Sequence, residues 1–325
     1  MAATVAASKS YDISGGVLRE DLEDIIYDIS PMDTWFLTTA ARGRCKSTTH
    51  EWLSDSLTAA AANQAIEGDA FSAGTRALPT RLKNYTSIAR KDFEVTGTTR
   101  ATDNAGLSDL LAYHQARAAK EIKRDLETMI LGNNPASPGT SVSPRVAGAV
   151  AQWTYTSNHI KLTTQSLVTT PAPVSGFATG PVTSAAGSAT AFLEADLRSL
   201  LDRAWSMGGE TDTILTTASV YGTISAFTGL ATRFREVTSR AQAQIIGAAD
   251  VYVSAFGSHN IRIDRYAPAT YVYCLDMDTW AVSYLRPFET QQIAKIGDAD
   301  RRTILTEWTL VAKAPLGNTK CTGAV

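Results

Sequence analysis

His50-Glu51-Trp52-Leu53-Ser54 is the segment closest to a reactive motif. A zinc protease needs two histidines four residues apart on one helical turn, with the intervening glutamate as general base. Here Ser54 takes the second histidine's place, so the ligand pair is missing. His114, His159 and His259 show no ligand spacing with cysteine or carboxylate, and His114 falls mid-helix, where a packed or hydrogen-bonded role fits better. Asp276-Met277-Asp278 could offer two carboxylates to a divalent cation, but its place between two strand-like segments favours a hairpin turn. Glu121, Asp125 and Glu127 could form a carboxylate cluster. Their basic neighbours, Arg117 and Arg124 among them, favour a solvated or intersubunit salt-bridge face. Lys83-Asn84 has the residue types of a Lys–Asn isopeptide crosslink, but that chemistry needs an acid placed by a neighbouring subunit, which the sequence does not show. The chain has no phosphate-binding glycine loop, no dinucleotide fingerprint and no nucleophile elbow. No catalytic, metal or cofactor-binding residue is assigned, and the reading is of a protein that is not an enzyme.

The elements around these residues point to a different use. From Leu18 to Ile29 apolar residues recur at helical spacing, and Ser30-Pro31 ends the run. Lys46–Leu57 leans toward strand, Ala59–Thr80 is rich in small and polar residues, and Tyr85–Thr99 returns to strand character. Extended out, turn and extended back make a two-stranded arm; twenty residues each way reach on the order of 60 Å, beyond an ordinary domain. Such an arm has no core of its own and calls for a partner to lie on. Glu51, Trp52, Asp55, Glu67, Arg81 and Asn84 are its candidate arm or inter-subunit residues. Glu51-Trp52 and Lys91–Phe93 are expected at its two roots.

Gly106–Leu131 reads as one long helix of about 39 Å, with Asp103 or Asn104 as cap and Gly132-Asn133-Asn134-Pro135 as stop. Its apolar stripe runs through residues 107, 110, 111, 118, 122, 126, 129 and 130, and Lys123 and Glu127 are spaced to pair. Thr163–Thr190 is dominated by Ser, Thr, Ala, Gly and Pro and reads as a surface insertion. Phe192–Met207 forms a second helix, Thr213–Thr216 a strand and Ala218–Phe227 a third helix. Short strands follow at 251–254, 260–264, 271–275, 280–284, 291–296 and 304–312. Strands in blocks, without regular βαβ alternation, give an α+β fold class.

The chain has 325 residues and a formal net charge of −2, so no global field draws it to nucleic acid or an anionic membrane. Three widely spaced cysteines (Cys45, Cys274, Cys321) suit buried thiols better than a disulfide framework. Neither a signal peptide nor an apolar run long enough for a membrane span is expected, which suggests a soluble cytoplasmic product.

Ile29-Ser30-Pro31-x-Asp33-Thr34, His50-Glu51-Trp52-x-x-Asp55-x-Leu57, Glu67-Gly68, Arg81-x-x-Asn84-Tyr85-Thr86, Val95-x-Gly97-Thr98, Glu121-x-x-x-Asp125-x-Glu127 and Arg145-x-x-Gly148 with Trp153 occur in that order over about 130 residues. This series resembles the major capsid proteins of tailed double-stranded DNA phages, of the Hong Kong 97 type capsid fold. Trp35 and Thr96 depart from the residues common there. The resemblance implies an N-terminal arm (1–45), an extended loop (46–90) and a peripheral domain (91–191) with spine helix 106–131 and the insertion near 163–190. An axial domain (192–290) and a C-terminal return to the peripheral domain (291–325) complete it. It also implies self-assembly as hexamers and pentamers into an icosahedral virion shell around packaged double-stranded DNA, built in the host cell cytoplasm. A separate scaffolding protein and a portal are expected during assembly, a decoration protein is a further candidate partner, and no membrane or cofactor is expected. A cellular encapsulating shell of the same fold is the runner-up, and a phage-encoded hydrolase is the rival from another class.

Overall fold

The longest alternating blocks of strand-forming residues lie near the C-terminus, and they build the frame to which the rest attaches. The computed structural model describes residues 33–55, 57, 60–62, 64, 66–68, 78–102, 109–154, 159–161, 172–174, 176–179, 190–227, 251–295 and 297–325. The helix expected over Leu18–Ile29 lies outside them.

The described chain opens with a one-turn helix, α1 (Trp35–Thr39), and strand β1 (Ala41–Arg44). Strands β2 (Thr49–Ser54) and β3 (Thr80–Tyr85) follow, then β4 (Ser87–Thr96), helix α2 (Gly97–Ala101), the long helix α3 (Leu110–Leu131) and α4 (Val150–Trp153). Next come β5 (His159–Lys161), β6 (Ala172–Val174), β7 (Phe177–Thr179), α5 (Glu194–Ser206), β8 (Thr213–Thr216) and α6 (Ala218–Ser225). The last part holds β9 (Val251–Ser254), β10 (Gly257–Ile263), β11 (Tyr271–Leu275), β12 (Trp280–Ile293), β13 (Ala299–Ala312) and β14 (Thr319–Thr322).

These strands form three sheets. The first, in order β1-β12-β13-β4, is built on the long β12–β13 hairpin. The second is six-stranded, β5-β14-β11-β8-β10-β9, and the third is four-stranded, β2-β3-β7-β6. One core joins the first two: Trp280, Val282, Trp308 and Leu310 pack with Leu215, Tyr273 and Leu275 and with Ile122, Leu126 and Ile130 of α3. A second cluster holds α5 and α6 on the six-stranded sheet through Leu197, Leu200, Leu201, Val220, Ile224 and Val272.

Several expectations need correction. Asp109 caps α3: its carboxylate accepts from Leu111 N and Ala112 N, and it is itself extended, so the helix starts at Leu110; Asp103, Asn104 and Gly106, the expected caps and start, lie outside the described residues. The arm's returning strand is β3, not residues 85–99. Beyond Thr86 the chain leaves the arm and β4 pairs with β13, so Lys91–Phe93 belong to the frame. The segments 280–284 and 291–296 are parts of one strand, β12. Pro287 lies where its register shifts, between Tyr284 and Glu289, so the ladder tolerates the missing N–H. The expected boundary at residue 290 therefore cuts through β12, while β14 leaves the first sheet and enters the six-stranded one between β5 and β11.

Part of the expected surface insertion is structural as well. β7 lies beside β3, Gly176 O accepts from Lys83 N at 2.7 Å, and Phe177 stacks on Tyr85 with ring centroids 4.4 Å apart. Gly176 has φ +86°, and a Cβ there would meet the Arg81 carbonyl, so only glycine fits. Asp276-Met277-Asp278 is a turn, but it links two sheets rather than closing a hairpin: β11 lies in one sheet and β12 in the other. Leu126→Ala, which opens a cavity between α3 and both sheets, is expected to lower stability by about 2–5 kcal/mol, read as a lower urea midpoint with an unchanged slope.

Candidate functional site

β13 is paired with β12 along most of its length, but β4 covers its other side only as far as Trp308. Past that point the open edge receives side chains from the arm. Thr309 Oγ donates to Tyr85 O at 2.9 Å, Asn84 Nδ2 donates to Leu310 O at 2.7 Å, and Trp52 Nε1 donates to Ala312 O at 2.8 Å. The Trp52 ring packs on the buried Trp153, centroids 5.2 Å apart. Asn84 is fully buried; its Oδ1 accepts from Gly148 N at 2.8 Å and Tyr85 N at 3.0 Å. Trp52 and Asn84, expected as arm or inter-subunit contacts, thus root the arm inside its own subunit.

The arm's outer side is different. Glu51 faces Lys83 across the strand pair and lies 3.4 Å from its ammonium and 3.3 Å from the Arg81 guanidinium. Arg81 is largely in water and Glu51 and Lys83 are partly so, so the pairs set register more than stability. Asp55 and Glu67 are exposed farther along the arm.

Beside the root, Glu307 is buried among Arg145 (2.5 Å), Arg286 (3.0 Å) and the Thr86 hydroxyl (2.7 Å), while Arg145 Nε donates to Thr86 O. The network holds the bend where β3 becomes β4. Glu307 was missed from sequence, although a lone acid inside the apolar run 304–312 is the signal that could have found it.

On α3 the expected salt-bridge face divides in two. Arg117 pairs with Glu121 at 2.9 Å, and that partner raises the Arg117 pKa; Asp125 reaches Lys91 of β4 at 2.8 Å; the Arg124 carbonyl accepts from Thr128 Oγ. Glu127 does not join them. It is fully buried, and its carboxylate accepts from Phe36 N at 2.6 Å and Leu37 N at 2.9 Å, so it caps α1, which has no side-chain cap of its own. The expected Lys123–Glu127 pair is therefore absent among the described contacts. Glu127 stands three and four residues before Ile130 and Leu131, on the core side of the helix, which is the signal its charge concealed.

The histidines have structural surroundings. His259 is buried, with Nε2 2.7 Å from Ser254 Oγ and Nδ1 2.6 Å from Thr211 O, and burial lowers its pKa, as it does for His50. Lys320, also missed from sequence, is buried in β14; its ammonium donates to Ala151 O and burial lowers its pKa to about 7. Its segment, Thr319–Thr322, shows no apolar alternation that would mark it as core. The three cysteines are buried and free. Among the described residues no group of three or more His, Cys, Asp or Glu side chains is placed to hold a metal ion, and no helix is long and apolar enough to cross a membrane.

Two sheets sharing a core, a long helix laid across them and a two-stranded arm leaving from the frame's open edge define a shell subunit of the Hong Kong 97 type. The comparisons agree. The chain is 27% identical over 328 residues to the major capsid protein of Escherichia phage Phieco32, covering 92% of this chain and 91% of that protein. It superposes on the capsid of a native GTA particle with a TM-score of 0.64 at 11% identity, covering 98% of this chain and 100% of that one. For the structure titled Mycobacterium phage Bobi the TM-score is 0.60 at 11% identity, with 98% and 99% covered. A family profile described as SU10 major capsid protein matches residues 3–324, and the chain belongs to that family. It is a structural protein of the phage capsid, not an enzyme. Asn84→Ala would strip Gly148 N–H and Leu310 C=O of their partner in a dry site, and is expected to cost about 3 kcal/mol, measured by denaturation of the full chain.

Proposed function

We propose that this chain self-assembles as hexamers and pentamers into an icosahedral shell around packaged double-stranded DNA, with the extended arm gripping an adjacent copy. The observation that carries this is apolar surface placed where its own subunit gives no cover. Along the arm Leu53, Leu57, Ile66 and Leu78 are 67%, 96%, 79% and 87% exposed, whereas the arm's root is pinned by buried hydrogen bonds. Exposed leucines and isoleucine on a projecting hairpin favour burial against another molecule. In a closed shell a second copy is always at hand, and modest contacts multiply across many subunits.

In this reading the four-stranded β1-β12-β13-β4 sheet with α3 serves as the peripheral domain. The six-stranded sheet with α5 and α6 serves as the axial domain that meets its copies at the capsomer centre. Assembly takes place in the host cytoplasm, with a scaffolding protein and portal, and a decoration protein is a further partner. Membership of a phage capsid family weighs against a cellular compartment of the same fold.

Deleting residues 60–78 removes the arm's distal part and leaves β2 and β3 whole. The variant is expected to keep a near-normal melting temperature as a monomer and to give no stable shells by electron microscopy when co-expressed with the scaffold. Normal shells from this deletion would refute the arm's role.

A further inference from the structure

The first sheet ends at β1, and among the described residues no strand covers the outer side of β1. Every second residue there is a cation: Arg42, Arg44 and, just past the strand, Lys46. All three are exposed. Alternate residues of a strand share a face about 6.6 Å apart, so the three charges form a row about 13 Å long. The backbone is aimed the same way. Cys45 N donates to Tyr284 O of β12 at 3.1 Å. Because N–H groups alternate in direction along a strand, the amides of Arg42 and Arg44 point to the open side.

These cations also stand apart in having no acid beside them. Arg81, Arg100, Arg117, Arg145, Arg286 and Arg301 each lie within ion-pair distance of a carboxylate. Among the described residues Arg42, Arg44 and Lys46 have no such partner. Val282 and Tyr284, the residues in register with the two arginines, are uncharged. The net charge of −2 thus conceals a local basic edge.

The same edge offers little to a protein partner. The exposed residues between and beside the cations are Ala41, Gly43, Ser47 and Thr48, with no large apolar side chain to anchor a protein interface. Small neighbours and outward amides instead allow close approach by a polyanion, held through its backbone without reading a sequence. Charge on an edge strand also deters pairing with other strands, but that role alone would leave affinity for a polyanion untouched.

We propose that the β1 edge is a binding site for the phosphate backbone of double-stranded DNA, with Arg42, Arg44 and Lys46 each neutralising a phosphate. The assignment rests on the reading that the shell encloses such DNA, and it names the surface that meets it. An arginine fork holds two phosphate oxygens, and the outward N–H beside it adds a further donor. Repeated on every subunit, the strip holds a duplex at many weak points without fixing its sequence.

The test uses the purified, unassembled full chain and a short fluorescent DNA duplex, with binding followed by anisotropy. Three phosphate contacts contribute about −2.7 to the slope of log K against log salt, or about 40-fold in affinity between about 50 and about 200 mM salt. The triple variant Arg42→Gln, Arg44→Gln, Lys46→Gln should lose that contribution, and each single substitution about 0.9 of slope. Arg42→Lys with Arg44→Lys should keep it. An unchanged slope and affinity in the triple variant would overturn the proposal. So would unchanged DNA affinity together with lost binding to the scaffolding protein, which would mark the edge as a protein contact. Should the triple variant aggregate, the slopes of the single variants decide. Electron microscopy of the wild type co-expressed with scaffold keeps the two readings apart. Wild-type shells with unaltered DNA binding by the variant refute the basic edge alone, whereas a wild type that forms no shells refutes the shell reading and this assignment with it.

Discussion

A β-strand paired on one side only must find other partners for the groups on its free edge, and the last residues of β13 are in that position. Past Trp308 no strand among the described residues covers them, and Asn84 and Trp52 reach in from the arm to Leu310 O and Ala312 O. The arm's place follows from this constraint. Its first strand can start only where Trp52 reaches Ala312, and its second must deliver Asn84 between Gly148 and Leu310. A side-chain amide and an indole thus do what a fifth strand would do, while β2 and β3 remain free to run outward.

The same economy recurs at the junction of the two large sheets. Asn318 is fully buried; its Oδ1 accepts from Asp276 N and Trp280 Nε1, and its Nδ2 donates to Thr279 Oγ and Ala314 O. Gly209 lies so close to Gly317 that a Cβ on it would strike the Gly317 backbone. Asn318 is worth burying because both its amide oxygen and its amide nitrogen are partnered; an apolar replacement would leave several of those groups dry and unpaired.

Much of the frame was legible in the chain. The stripe on α3 and the helix 194–206 follow from helical spacing, and the strands at 213–216 and 271–275 from short runs of strand-forming residues that are buried on both faces. Long-range partnership was not. Nothing local distinguishes Tyr85–Thr99 as two strands in two sheets, since the division at Thr86 is made by Arg145 and Glu307 from far along the chain. Glu127 looked like surface because charge outweighs helical phase in any reading of one helix, and its true partner is the α1 backbone, which no side-chain pattern encodes. Phe177, the lone aromatic in a small-residue tract, was the one sign that the tract packs against something.

The short link between β11 and β12 has a mechanical meaning. The chain passes from the six-stranded sheet to the four-stranded one through Asp276–Thr279, and back through Lys313–Asn318, two brief crossings clamped by the same asparagine. A seam stitched twice at one point, over a core common to both sides, has no slack with which to hinge. On the proposed assembly, the body of each tile is then stiff, and any difference in tilt between neighbours is left to the slender limb that leaves its rim.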